Sequence, residues 1–136
     1  MILKRFARTI EIEVSPEQFV FRCDRQEHRV PTRGYVKKVR GEEPSYAFEL
    51  EPKSDAYVAI SLFSSLHPEF QQDIVHVLGA FLLYGMRPLC GGSLVRPVIV
   101  FKGVESFETG FGFEYVAFRE AAKLFALGEQ EVYFKG

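Results

Sequence analysis

An α/β fold with one mixed sheet is what this sequence predicts, and three patterns predict it. Thr9 to Val14 alternates apolar Ile10, Ile12 and Val14 with Glu11 and Glu13, the period-two signature of a half-buried strand. Pro97 to Phe101 is a short apolar run led in by Gly91, Gly92 and Pro97 and closed by Gly103, as a buried strand is. Glu114 to Leu127 then carries Ala117, Phe118, Ala121, Ala122, Leu124 and Phe125 at helical spacing, stops at Gly128, and is followed by a strand at Glu131 to Phe134. Strand, helix and strand in this order make a right-handed crossover between parallel strands.

The remaining elements are expected in order. Ser15-Pro16-Glu17-Gln18 is a turn, and Phe19 to Cys23 returns as the second strand of an antiparallel meander. Glu27 to Val30 or Tyr35 to Val39 supplies a third strand and Ser45 to Leu50 a further one, in a stretch broken by Pro31, Gly34, Gly41 and Pro44. Pro52 to Asp55 is a loop, and Tyr57 to Ile60 is a short apolar segment of either type. A long helix opens at His67, with Pro68 at its first turn and Glu69 and Asp73 at its dipole-positive end. Phe70, Ile74, Val77, Leu78, Phe81 and Leu82 give it a wide apolar face, and it is expected to end around Gly85 to Pro88.

Length and composition fit a single domain over residues 1–136, large enough to bury roughly two-thirds of its unfolded surface. Seventeen Lys and Arg against 18 Asp and Glu leave a net charge of −1, which gives no electrostatic case for nucleic acid or an anionic membrane. The basic clusters Lys4-Arg5 and Lys37-Lys38-Val39-Arg40 read as solvated faces. No apolar run approaches the ~18 residues of a membrane span, and Met1 to Arg8 lacks the apolar region of a secretory signal. Cys23 and Cys90 lie far apart without metal-ligand spacing, so reduced thiols and a cytoplasmic location are expected.

The order of these elements, and above all the segment from Arg96-Pro97-Val98-Ile99-Val100-Phe101 to Phe118-Arg119-Glu120-Ala121-Ala122 and Glu131-Val132-Tyr133-Phe134, resembles the MreB family of actin-like cell-shape proteins. In that family a strand of the type PRVVI precedes a helix ending EAALxAGAREVYLI. Phe6 to Phe21 falls at the family's first hairpin, and Asp73 to Met86 at its DFxxTEAMLxYFI helix. The resemblance covers only the N-terminal subdomain of such a protein. It implies a ribonuclease-H-like (actin-like) mixed sheet: an antiparallel meander, then helix, parallel strand, helix and parallel edge strand. It also implies a phosphate-holding turn in the first hairpin, and there the chain departs from the family. Glu13 stands at the Asp position and Ser15 at a Gly position, and Pro16 has no N–H to offer a phosphate. Glu13 and Ser15 therefore mark a degenerate phosphate loop, and neither cofactor nor metal is expected.

Catalytic patterns are sparse. His28, His67 and His76 are isolated from one another, and no zinc, P-loop or nucleophile-elbow motif occurs. Asp73 and His76, three apart on one helix, could pair, as a helix-surface contact sooner than a site. Cys90-Gly91-Gly92-Ser93 reads as a glycine-rich loop leading into a strand, and Glu11 and Glu13 as the solvent side of theirs.

The unusual feature is aromatic: 14 Phe, 6 Tyr and no Trp. Phe107, Phe111, Phe113 and Tyr115 alternate with glycines and with Glu105, Glu108 and Glu114 in what reads as a surface loop, a composition suited to partner contacts. A non-catalytic protein-interaction domain, linked by resemblance to cell shape or the cytoskeleton, is the expected function. A protein partner or a second copy in a homodimer would be bound through that loop or through the edge of the sheet. The alternative is a nucleotide-dependent phosphotransferase or ATPase whose site, with Glu13 as metal-organising carboxylate and Ser15 facing phosphate, is completed by dimerisation. A two-metal ribonuclease-H-type nuclease ranks last, because only the Glu11 and Glu13 region could supply its carboxylates.

Overall fold

In the computed structural model, residues 9–41, 45–62, 73–90, 97–104, 114–124 and 132–135 are described. They form a mixed α/β structure with a five-stranded mixed sheet, a separate three-stranded antiparallel sheet and two helices. The strands in chain order are β1 (Thr9–Val14), β2 (Gln18–Cys23), β3 (Gln26–Pro31), β4 (Arg33–Lys38), β5 (Tyr46–Glu49), β6 (Val58–Ser61), β7 (Val98–Lys102) and β8 (Val132–Lys135). The helices are α1 (Ile74–Cys90) and α2 (Glu114–Ala122).

The large sheet runs β3-β2-β1-β7-β8. β1–β2 and β2–β3 pair antiparallel, β1–β7 and β7–β8 parallel, so β2 alone runs against its neighbours. The β2–β3 hairpin closes on Asp24 at φ 56°, a left-handed conformation that Asp tolerates. Period-two alternation sorts the side chains. Ile10, Ile12, Val14, Phe19, Phe21, Ile99 and Phe101 point to one face, and all are at most 3% exposed. Both helices cover that face, with Phe19 meeting Phe81 of α1 and Phe118 of α2 edge-on at ring-centroid distances of 6.3 and 6.0 Å.

The middle of the chain departs from a single meander. After Pro31 the chain leaves the large sheet, and β4, β5 and β6 form their own sheet in the order β5-β4-β6. The pivot is Thr32, a polar residue only 4% exposed whose groups are all engaged. Its hydroxyl donates to the Pro16 carbonyl at 2.6 Å, its N–H to Glu17 at 3.1 Å, and its carbonyl accepts from the Leu62 N–H at 2.9 Å. The short apolar segment expected at Tyr57 to Ile60 forms strand β6 from Val58 onward. α1 lies between the two sheets, with Phe48 of β5 against Phe81 at 4.0 Å and Tyr84 at 5.0 Å.

The expected end of the long helix near Gly85 to Pro88 is corrected, because α1 runs through both residues to Cys90. Gly85 is no terminator. A Cβ there would meet the Phe21 ring, so glycine lets the helix lie close on β2. Pro88 forfeits the N–H that would reach the Tyr84 carbonyl, and the helix continues past it. Cys90 accordingly closes a helix instead of opening a loop. The predicted start of this helix at His67 to Glu69, the end of the second helix at Phe125 to Gly128, and Gly91 to Arg96 lie outside the described residues.

Candidate functional site

The β1–β2 turn is where the sequence places the degenerate phosphate loop, and several of its polar groups are already in use. Ser15 N–H donates to the Gln18 carbonyl at 3.1 Å, and its hydroxyl donates to the same oxygen at 2.9 Å. The same hydroxyl accepts from Gln18 N–H at 3.3 Å. Pro16 supplies no N–H, and its carbonyl is taken by Thr32 at 2.6 Å. Across the neighbouring strand, Gly103 at φ 84° sits so close to β1 that a Cβ would come 2.7 Å from the Val14 carbonyl oxygen. The turn is packed from two sides, and the pattern Ser15-Pro16 closes it locally by a Ser side chain mimicking a backbone turn.

Glu13 belongs to a ladder of charges on the face of the large sheet away from the helices. Arg22 is its centre, 2.7 Å from Glu13, 3.1 Å from Glu27 and 3.7 Å from Glu11. Lys102 lies 3.5 Å from Glu11, and Arg29 is 3.0 Å from Glu27. Register explains the arrangement: Glu11 is opposite Arg22, and Arg22 opposite Glu27. The hydrogen bond from Arg22, and then its charge, hold the Glu13 carboxyl below the ordinary glutamate range. The Glu27 carboxyl is lowered first by the same guanidinium and further by Arg29, and the bond to Glu13 raises Arg22 in return. Three carboxylates therefore surround a permanent cation that Arg22 itself supplies. Among the described residues no group of three or more His, Cys, Asp and Glu is arranged to hold a metal ion.

The aromatic residues expected as partner contacts, Phe107, Phe111 and Phe113, lie outside the described residues, as does the side chain of Tyr115. The described large apolar residues that are exposed are Leu50, Val58, Val116 and Tyr133, at 44%, 51%, 56% and 45%. Leu50 also lines an open trough on the small sheet with Pro31, Arg33, Tyr35 and Ala59. Composition could not have singled these out, since their exposure depends on the tertiary packing around them.

The expected Asp73–His76 surface pair is replaced by two cross-links to β5. Asp73 accepts from the Tyr46 hydroxyl at 2.8 Å, and the His76 Nδ1 lies 3.3 Å from the Ser45 hydroxyl. Helical spacing foresaw that the two residues share a face. It could not foresee the strand that comes up against that face. His28 reaches α1 in a similar way, its Nδ1 3.0 Å from the Gly85 carbonyl oxygen.

No described helix is long and apolar enough to cross a membrane. Compared with models of protein families, with curated proteins and with solved structures, the chain matches none.

Proposed function

We propose that this chain is a protein-interaction domain without nucleotide chemistry, built on a ribonuclease-H-like sheet of the actin-like kind and related in function to the cytoskeletal, cell-shape role of the MreB family. The strand order β3-β2-β1-β7-β8, with β2 alone reversed, supports the fold part of this reading. The observation that carries the functional part is the closed β1–β2 turn. A phosphate-binding turn needs backbone N–H groups aimed outward and a carboxylate free to organise a metal ion. Here the Ser15 N–H is bonded to Gln18, Pro16 has none, and Glu13 is held by Arg22 at 2.7 Å. A protein partner or a second copy is the ligand class, with Phe107, Phe111, Phe113 and Tyr115 as its contacts.

Calorimetric titration with Mg-ATP at millimolar concentration tests the first half, and no heat of binding is expected. Binding that disappears in Glu13→Gln would instead favour the phosphotransferase reading. Affinity capture from source-cell lysate, with wild type beside a folded Phe111→Ser/Phe113→Ser variant, tests the second half. A partner kept by the wild type and lost by the variant is the expected result; an identical set captured by both would sink the loop as the contact surface.

A further inference from the structure

The seam between β5 and the start of α1 brings together four polar side chains that the interaction reading does not use. Ser45 and Tyr46 are consecutive at the head of β5, while Asp73 and His76 lie three apart at the head of α1. The cross-links run side by side, Ser45 to His76 at 3.3 Å and Tyr46 to Asp73 at 2.8 Å. Both sides are anchored. The Ser45 carbonyl accepts from Val39 N–H at 2.7 Å, β5 is paired to β4, and the Asp73 carbonyl accepts from Val77 N–H at 3.0 Å. Ser45, Asp73 and His76 are all half-buried, so each retains contact with solvent.

A serine hydroxyl is a weak nucleophile until a base takes its proton, and the arrangement that activates one is a base within hydrogen-bond reach, held by a third group. With the proton of a neutral His76 on Nε2, Nδ1 is the acceptor and Ser45 Oγ–H the donor. Asp73 does not bond the ring. Tyr46 fixes its carboxylate on the same helical face one turn earlier.

We propose that Ser45 is a nucleophilic serine activated by His76, accepting the acyl group of small esters. Ser45 Oγ bonds to the ester carbonyl carbon as its proton passes to His76 Nδ1. The carbon–oxygen bond to the alcohol breaks, and the departing alkoxide takes that proton from Nδ1. Water then attacks the acyl-serine, gives one proton to Nδ1, and that proton returns to Ser45 Oγ as the carboxylic acid leaves. This chemistry lies on a different seam from the β1–β2 turn and stands or falls independently of it.

The test is exposure of the full chain to an alkyl fluorophosphonate, followed by intact mass and peptide mapping. Bond formation between Oγ and phosphorus with loss of fluoride should add one phosphonyl group, at Ser45. Ser45→Ala should abolish the adduct, and His76→Gln should slow it about a hundredfold, the scale of a lost general base. A fall of the wild-type rate in acid should be absent from the slow residual rate of His76→Gln, a change that a merely structural histidine would not produce. Circular dichroism confirms that both variants fold. An unmodified wild type under conditions that label trypsin fully overturns the proposal, as does an adduct that Ser45→Ala leaves in place. Equal rates in wild type and a folded His76→Gln overturn it as well.

Discussion

The two faces of the large sheet are made by the same strands and differ in every other respect. Toward the helices stand Ile10, Ile12, Phe19, Phe21 and Phe101, none of them measurably exposed. Away from them stand Glu11, Glu13, Arg22, Glu27 and Arg29, linked edge to edge at 2.7 to 3.7 Å. Parallel strands are usually apolar on both sides because both are covered. Here Val20 and Val100 are buried on the charged face, at 4% and 9%, but their strand neighbours carry charge. One face therefore supplies cohesion through area removed from water, and the other supplies solubility and register at little cost.

The largest expected effect comes from breaking the apolar face. Phe21→Ala removes a ring on which α1 rests through Gly85 and should destabilise by ~3–5 kcal/mol, read as a shift in the urea midpoint. Gly85→Ala attacks the same contact from the helix. Alanine gains ~1 kcal/mol of helix propensity, yet its Cβ would enter the Phe21 ring, and overpacking of this kind costs ~1–3 kcal/mol. Net destabilisation is the expected outcome in chemical denaturation. A stabilised Gly85→Ala would mean that α1 can shift away from β2.

A smaller effect is expected where the faces end. Gly103 combines φ 84° with the 2.7 Å approach to the Val14 carbonyl, so Gly103→Ala meets both backbone strain and a backbone clash. A loss of ~1–3 kcal/mol is expected by thermal unfolding, with the β1–β2 turn the first segment to gain hydrogen exchange.

The contrast between the faces also explains what could be read from the sequence. β1, β2, β7 and β8 were legible because alternation or a continuous apolar run fixes a strand locally. The break into two sheets was not, because it depends on Thr32 satisfying three separate backbone partners, two of them in the β1–β2 turn and one at the end of β6. The overrun of Gly85 and Pro88 was missed for a related reason. Both residues signal termination by local propensity, and at Gly85 tertiary contact with Phe21 and His28 overrides it. At the site, the hairpin that carries Glu13 and Ser15 was legible from strand alternation on either side of Ser15-Pro16. That the turn is closed against Thr32, and that Ser45 reaches His76, are long-range facts with no signature in spacing.

The smallest effect should come from the charged face. Arg22, one-third exposed, bridges three carboxylates that solvent screens, so Arg22→Met should cost less at neutral pH than any of the substitutions above. Its clearer signature is in the pH dependence. The Glu13 and Glu27 carboxyls are lowered in the folded state, chiefly by the hydrogen bonds from Arg22, so the fold favours their charged forms. That contribution is fully present above the unfolded glutamate value of ~4.3 and is lost as pH falls through the lowered folded values. Urea midpoints measured from pH 6 down to pH 2 should therefore decline less steeply for Arg22→Met than for the wild type. Superimposable pH profiles would show that the ladder exists in the fold without contributing to its stability, leaving the apolar face to supply it all.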